Sequence, residues 1–201
     1  MSGARHETDR LEIDAEAEQS RLYAFLSRLV VPRPIAWVST RGADGSLNLA
    51  PHSYFTVAAN EPPTLLFTSV GRKDTLTNIE ATGEFVVNLV PVSLMAAVNE
   101  TSASLAHGDS EFDRAGLTPV PGLKVTAPRV AESPASFECV LDRVIEVGDS
   151  FLVLGRVVQV SVAASVVVDG RPDEVLLDPL ARLGGARYSA LGQLSSVRRP
   201  T

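Results

Sequence analysis

The chain contains a single cysteine, Cys139, among its 201 residues. A disulfide within the chain needs two cysteines, and a cysteine-based metal cage needs several, so both are excluded. This count suits a reducing compartment, and the charged N-terminus lacks the apolar run of a secretory signal. We therefore expect a cytoplasmic protein in which Cys139, flanked by apolar residues on a strand, is a buried and unreactive thiol.

Excess positive charge and long apolar runs are also absent. Lys and Arg number 18 against 24 Asp and Glu, which gives a formal net charge of -6. A chain of this charge has no basic surplus to attract nucleic acid or anionic lipid, and we expect neither as a partner. The most apolar stretch, 151–168, is interrupted by Arg156 and Gln159 and rich in valine. It predicts two buried strands joined near Ala163, not a membrane helix.

Several catalytic and nucleotide-binding motifs are missing. The sequence has no Walker loop, no GxGxxG and no nucleophile elbow. His52 and His107, the only histidines beyond the N-terminal tail, have no companion at metal-ligand spacing. These absences count against hydrolases, nucleoside-triphosphate enzymes and metalloenzymes, and we expect no metal.

The sequence does contain enough apolar residues, 45% of the chain, for the core of one globular domain. Between residues 14 and 30 the spacing predicts an amphipathic helix, with Asp14 available as its N-cap and Pro32 and Pro34 after its end. One face of this helix carries the apolar residues Leu22, Phe25, Leu26, Leu29 and Val30.

The segments that follow have the composition of short strands. Runs rich in β-branched and aromatic residues occur at 35–40, 46–51, 53–59, 64–70 and 84–90, separated by Gly, Asp, Asn and Pro. Short helices are predicted at 75–81 and 92–99, an irregular excursion at 101–129 with one helical turn near 111–115, and a final hairpin turning at Gly148-Asp149. Trp37 is predicted to be core. Many short strands and few helices favour a closed antiparallel barrel.

A candidate phosphate site lies where an apolar strand passes into a helix. A helix N-terminus presents free N–H groups and partial positive charge, which together with nearby cations and hydroxyls suits a phosphate monoester. The residues concerned are Ser69, Arg72, Lys73 and Thr75. In the alternative interpretation, Asp74 or Thr75 caps an ordinary helix and the two cations are solvated.

A second candidate lies at residues 48–55, where Pro51 cannot donate to a ladder and leaves neighbouring backbone groups free for a ligand. A planar heterocycle would suit such groups. The alternative is an edge strand or bulge with Tyr54 and Phe55 in the core. The segment at 182–188, RLGGARY, is either a flexible tail or a close approach of backbone to a ligand or second subunit.

Five segments in order resemble the flavin reductase-like, FMN-binding split-barrel family that includes flavoredoxin. They are PRPIAWVST (32–40), NLAPHSYF (48–55), RKDT (72–75), GEFVVN (83–88) and RLGGARY (182–188). The resemblance implies a mainly β fold, an antiparallel split β-barrel of Greek-key type with a few peripheral helices. It would occupy residues 21–201, after a flexible tail at 1–20.

The resemblance also implies the site and the partners. The isoalloxazine ring would be lined by Asn48, Ala50, Pro51, His52, Ser53, Tyr54 and Phe55, and the ribityl phosphate held by Ser69, Arg72, Lys73 and Thr75. FMN would lie near the interface of a homodimer.

The implied activity is that of an oxidoreductase. Hydride would pass from NADH or NADPH to the flavin, and onward to a small-molecule acceptor or a partner monooxygenase; the flavin itself accepts the hydride, so no protein acid–base pair is required. The alternatives are a non-enzymatic FMN carrier or electron-transfer module, and a split barrel that has lost its flavin.

Overall fold

A computed structural model describes residues 10–103, 105 and 109–200 of the chain. His107 and the first nine residues of the predicted tail lie outside this description. The helices and strands follow one another along the chain in much the order that the sequence pattern indicates. Their bounds are given below.

The helices are α1 (Gln19–Leu29), α2 (Asp74–Thr82), α3 (Met95–Glu100), α4 (Glu111–Ala115) and α5 (Glu174–Leu177), with 3-10 turns at Val92–Leu94 and Ala164–Val166. In the described part of the chain no helix is both long and apolar enough to cross a membrane.

The strands are β1 (Arg33–Pro34), β2 (Ala36–Arg41), β3 (Leu47–His52), β4 (Phe55–Asn60), β5 (Pro63–Val70), β6 (Glu84–Asn88), β7 (Pro119–Val120), β8 (Arg129–Val130), β9 (Ala135–Val147), β10 (Ser150–Val162), β11 (Val167–Val168), β12 (Arg171–Pro172), β13 (Ala181–Arg182) and β14 (Tyr188–Ser189). Seven of them form one antiparallel sheet in the order β3-β2-β6-β9-β10-β5-β4.

This sheet curls until its two ends meet. The Thr68 N–H donates to the Tyr54 carbonyl at 2.8 Å, and Nδ1 of His52 lies 3.2 Å from the Thr68 carbonyl oxygen. Register shifts in the β9–β10 pair, next to Gly155 and Gln159, bend the long hairpin around the core. The predicted mainly β, antiparallel split-barrel fold is confirmed.

The barrel interior is packed with apolar side chains, and Leu76 and Ile79 of α2 pack into the same cluster. Cys139 belongs to this core, and burial raises the pKa of its thiol to about 12, so the prediction of an unreactive cysteine is confirmed. A Cβ atom on Gly155 would lie 2.2 Å from Cζ of Phe85, so the interior admits only glycine there.

A second apolar cluster covers the outside of β2 and β3, where α3, α4 and the segment near Leu180 pack. Trp37 is fully buried in it, as predicted, and its indole N–H donates to the Thr101 hydroxyl at 2.8 Å.

Two expectations about local structure were wrong. The Asp14 carboxylate accepts from the backbone of Glu16 and Ala17, so it caps a turn ahead of α1, which begins five residues later at Gln19. The stretch 151–168 does break after Val162, near Ala163, but the second strand, β11, has only two residues and is exposed, not buried. Near the C-terminus, the chain contributes the two-residue strands β13 and β14, and β13 pairs with β1.

Candidate functional site

A cavity of about 740 Å³ lies between the outer edge of β3, helix α1, the start of α2 and the C-terminal segment at 182–188. Volumes of this size are typical of cofactor sites. It brings together eight residues that the sequence predicted for one ligand: Asn48, Ala50, Pro51, His52, Ser53, Tyr54, Lys73 and Thr75.

Strand β3 offers the cavity an open backbone edge. It is an outer strand of the sheet and pairs along one side only, with β2. No strand in the described ranges pairs with its outward N–H and C=O groups. The Leu49 N–H donates to the Glu111 carboxylate at 3.0 Å. Pro51 adds no donor. Such an edge suits a planar ring that carries its own donors and acceptors.

The start of α2 forms one end of the cavity. Its N-cap position is Lys73, and no side chain there accepts a capping hydrogen bond, so the expectation that Asp74 or Thr75 caps the helix was wrong. The Thr75 hydroxyl is buried and accepts from Nδ2 of Asn48 at 3.0 Å, which ties the start of α2 to β3. Uncapped N–H groups beside a lysine are well suited to a phosphate.

Three predicted residues do not line the cavity. The Arg72 guanidinium donates to Glu80 at 2.6 and 3.2 Å, and this hydrogen bond raises the Arg72 pKa. Ser69 is fully buried, and its hydroxyl donates to the Gly71 carbonyl at 3.0 Å. Phe55 packs against the barrel core.

His52 presents a neutral ring to the cavity wall. Its Nδ1 carries the proton that is donated to the Thr68 carbonyl, so Nε2 is an unprotonated acceptor. Nε2 is inaccessible to solvent and has no hydrogen-bond partner in the described ranges. The ring packs against Phe67 with 4.7 Å between centroids, and burial lowers the His52 pKa to about 4.

The sequence analysis missed Arg33, which holds one wall together. This residue is 7% exposed and donates to four oxygens: Oγ of Ser53 at 3.4 Å, and the carbonyls of Ser27 at 2.6 Å, Val30 at 2.9 Å and Leu183 at 3.0 Å. It thereby joins α1, the ring-lining segment and the segment 182–188. Nothing in the spacing pointed to this, since Leu183 is 150 residues away in sequence.

Glu111 was also missed. It is a buried carboxylate on the cavity wall, and its pKa is raised, mainly by burial and also by the nearby charge of Asp74. The sequence predicted a helical turn here but no role.

The segment 182–188 is part of the site. Arg182, Leu183, Gly185 and Tyr188 all line the cavity, which favours close approach to a ligand over a flexible tail. No group of three His, Cys, Asp or Glu side chains in the described part of the chain is arranged to hold a metal ion.

Several solved structures are similar to this chain in fold and in sequence. The chain is 36% identical to nitrilotriacetate monooxygenase component B from Bacillus cereus, with a TM-score of 0.91 over 95% of this chain and 100% of that one. It is 27% identical to the 2-nitrobenzoate 2-nitroreductase NbaA of Pseudomonas fluorescens, with a TM-score of 0.88 over 95% of this chain and 97% of that one. Flavoredoxin of Desulfovibrio vulgaris (Miyazaki F) is 27% identical, with a TM-score of 0.76 over 84% of this chain and 91% of that one.

The chain therefore has the split-barrel fold of these oxidoreductases and of flavoredoxin. The model of the flavin reductase like domain matches residues 26–177, so the chain belongs to the flavin reductase-like family.

Proposed function

We propose that this chain binds FMN in the cavity and transfers hydride from NADH or NADPH to it, for delivery to an acceptor. One observation carries the proposal: the open edge of β3 and the uncapped start of α2 face the same cavity and are tied by the Asn48–Thr75 hydrogen bond. A ring-binding edge and a phosphate-binding helix end are the two parts that a flavin mononucleotide requires.

The residues present fit this cofactor. Lys73 and the backbone of Thr75 would hold the phosphate, with Thr75 itself held by Asn48. The segment from Ala50 to Tyr54 would lie along the ring, and Arg33 fixes Ser53 in that segment. When bound, the flavin supplies the hydride chemistry, and the protein's task is to bind and orient it.

Glu111 gives the cavity a place to hold a proton. Because burial raises its pKa, its carboxyl is protonated to a higher pH than an exposed glutamate. Its hydrogen bond from the Leu49 N–H fixes its orientation beside the ring-lining strand. We assign to it the proton that accompanies hydride transfer.

We further propose a cytoplasmic homodimer with FMN near its interface. Leu26, Leu29 and Val30 of the α1 region are 55%, 74% and 61% exposed in the single chain. Tyr23 and Ala24 on the same helix line the cavity. Covering this apolar face with a second copy would remove it from water and shield the cavity.

For the acceptor, the likeness to a monooxygenase component supports a partner monooxygenase, and the likeness to a nitroreductase supports a small molecule. The test is an anaerobic titration of the FMN-loaded protein with NADH and with NADPH, following loss of the oxidised flavin absorbance. Rapid bleaching is expected. FMN binding without bleaching by either donor would favour the non-enzymatic carrier, and failure to bind FMN would refute the site.

A further inference from the structure

Three arginines gather at the end of the cavity away from Thr75. Arg33 and Arg182 are register partners in the β1–β13 pair. Arg28 of α1 lies against Gly184, two residues after Arg182, since a Cβ atom on Gly184 would be 2.3 Å from Cγ of Arg28. All three line the cavity, and we call them the arginine corner.

The arginine corner is separated from the proposed phosphate end by the length of β3. Asn48, at the start of this strand, bonds Thr75, and Ser53, just past its end, bonds Arg33. Five residue steps of about 3.3 Å place the two ends about 16 Å apart. A phosphate held beside Thr75 therefore does not reach the arginine corner, which lies beside the ring-lining end.

The arginine corner has no ion-pair partner among the described residues. Arg33 is buried and donates to four oxygens of the protein, so it holds the wall beside Arg28 and Arg182 in place. Arg28 donates one N–H to the Ala24 carbonyl, and Arg182 donates one to the Gly185 carbonyl, which leaves both with donors for a ligand.

We propose that Arg28 and Arg182, supported by Arg33, form an anion subsite for the second ligand, the one that stacks on the flavin. Their planar guanidinium groups match phosphate and carboxylate oxygens. Arg182 lies 4.5 Å from the centre of the Tyr188 ring, which holds its side chain against the wall. The anion is either the pyrophosphate of a dinucleotide donor or an acidic group of the acceptor. This inference rests on the proposed function for the identity of that second ligand.

The experiment uses the full-length FMN-loaded protein and the variants Arg28→Gln and Arg182→Gln. Arg182→Lys keeps the charge, and Arg171→Gln is the matched control, an exposed arginine outside the cavity. Each protein is assayed with NADH and with 1-benzyl-1,4-dihydronicotinamide, a donor without phosphate. A second arm compares anthraquinone-2-sulfonate with the uncharged quinone menadione as acceptor. Binding of ADP-ribose, which carries the pyrophosphate without the nicotinamide, is measured separately by calorimetry.

If the subsite binds the donor, each Gln variant raises KM for NADH about tenfold, the effect of losing one charge-assisted hydrogen bond. KM for the uncharged donor stays unchanged, and Arg182→Lys recovers part of the loss. If the subsite binds the acceptor, only KM for the sulfonate rises. Equal changes with charged and uncharged substrates, a loss confined to FMN affinity, or no change at all would overturn the proposal.

The two proposals fail separately. If wild-type protein does not bind FMN, yet binds ADP-ribose and loses it in the Gln variants, the anion subsite stands and the proposed function fails. If wild-type protein is reduced by NADH and the Gln variants behave as Arg171→Gln does, the proposed function stands and the anion subsite fails.

Discussion

Replacing His52 by phenylalanine should make the apo protein less sensitive to acid. In the folded chain the His52 pKa is about 4, against 6.5 for an ordinary histidine, because the ring is buried. The unfolded chain takes up a proton as the pH falls through 6.5, and the folded chain does not, so stability declines in that window. The contribution of His52 to the free energy of unfolding is fully present above pH 6.5 and is lost as the pH falls from 6.5 to about 4.

The magnitude follows from the two pKa values. One unit corresponds to about 1.4 kcal/mol, so the wild-type protein should lose about 2 kcal/mol of unfolding free energy through His52 between about pH 7.5 and about pH 5. Phenylalanine keeps the ring packing against Phe67 and cannot titrate. Near neutral pH two effects oppose each other in the variant: it loses the hydrogen bond to the Thr68 carbonyl, and it removes Nε2, a buried acceptor without a partner among the described residues. The prediction therefore concerns the change in stability with pH and not the stability at one pH.

Urea unfolding of both proteins at the two pH values measures this directly. Glu111, whose raised pKa acts in the opposite direction, is present in both proteins and cancels in the comparison. The wild type should therefore lose about 2 kcal/mol more than His52→Phe over this interval. Equal losses would show that His52 is not held neutral in the folded chain, and the reasoning would be refuted.

Other predictions concern the barrel, the excursion and the cavity. Gly155→Ala should cost about 1–3 kcal/mol in urea unfolding, because the new methyl group meets Phe85; wild-type stability would contradict it. The buried Glu138 carboxylate accepts hydrogen bonds from the backbone N–H groups of residues 123–125, so Glu138→Gln should lower the free energy of unfolding by about 2 kcal/mol and speed hydrogen exchange of these amides. Unchanged protection of the three amides would count against this role. Glu111→Gln keeps an acceptor for the Leu49 N–H, so FMN should still bind, while the fall of flavin reduction with rising pH disappears; an unaltered pH profile would exclude Glu111 as the proton donor.

The fold was largely predictable because its signals are local. Runs rich in β-branched and aromatic residues mark β2 to β6, and Gly148-Asp149 marks the turn between β9 and β10. The start of α1 was not, because Asp14 closes its own turn instead of capping the helix. The two-residue strands β13 and β14 are too short to show a period; β13 pairs with β1, and β14 pairs with β13.

In the candidate site, too, the residues with a local sequence signal were predicted, and those that act through distant contacts were not. Lys73 and Thr75 were predicted because a helix start is visible in sequence, and both line the cavity. Arg72 shares that signal, yet its side chain turns to Glu80, a choice that depends on side-chain packing. Arg33 and Glu111 were missed because each acts through contacts with segments distant in sequence.

The cavity wall around Arg33 includes residues that contact the ligand site but are not part of the barrel sheet. The match to the family model ends at residue 177, and the segment 182–188 that closes the cavity follows it. Apart from the β1–β13 pairing, this segment is held by a few hydrogen bonds and contributes nothing to the seven-stranded sheet. Substitutions there would alter which ligand is held while leaving the barrel intact.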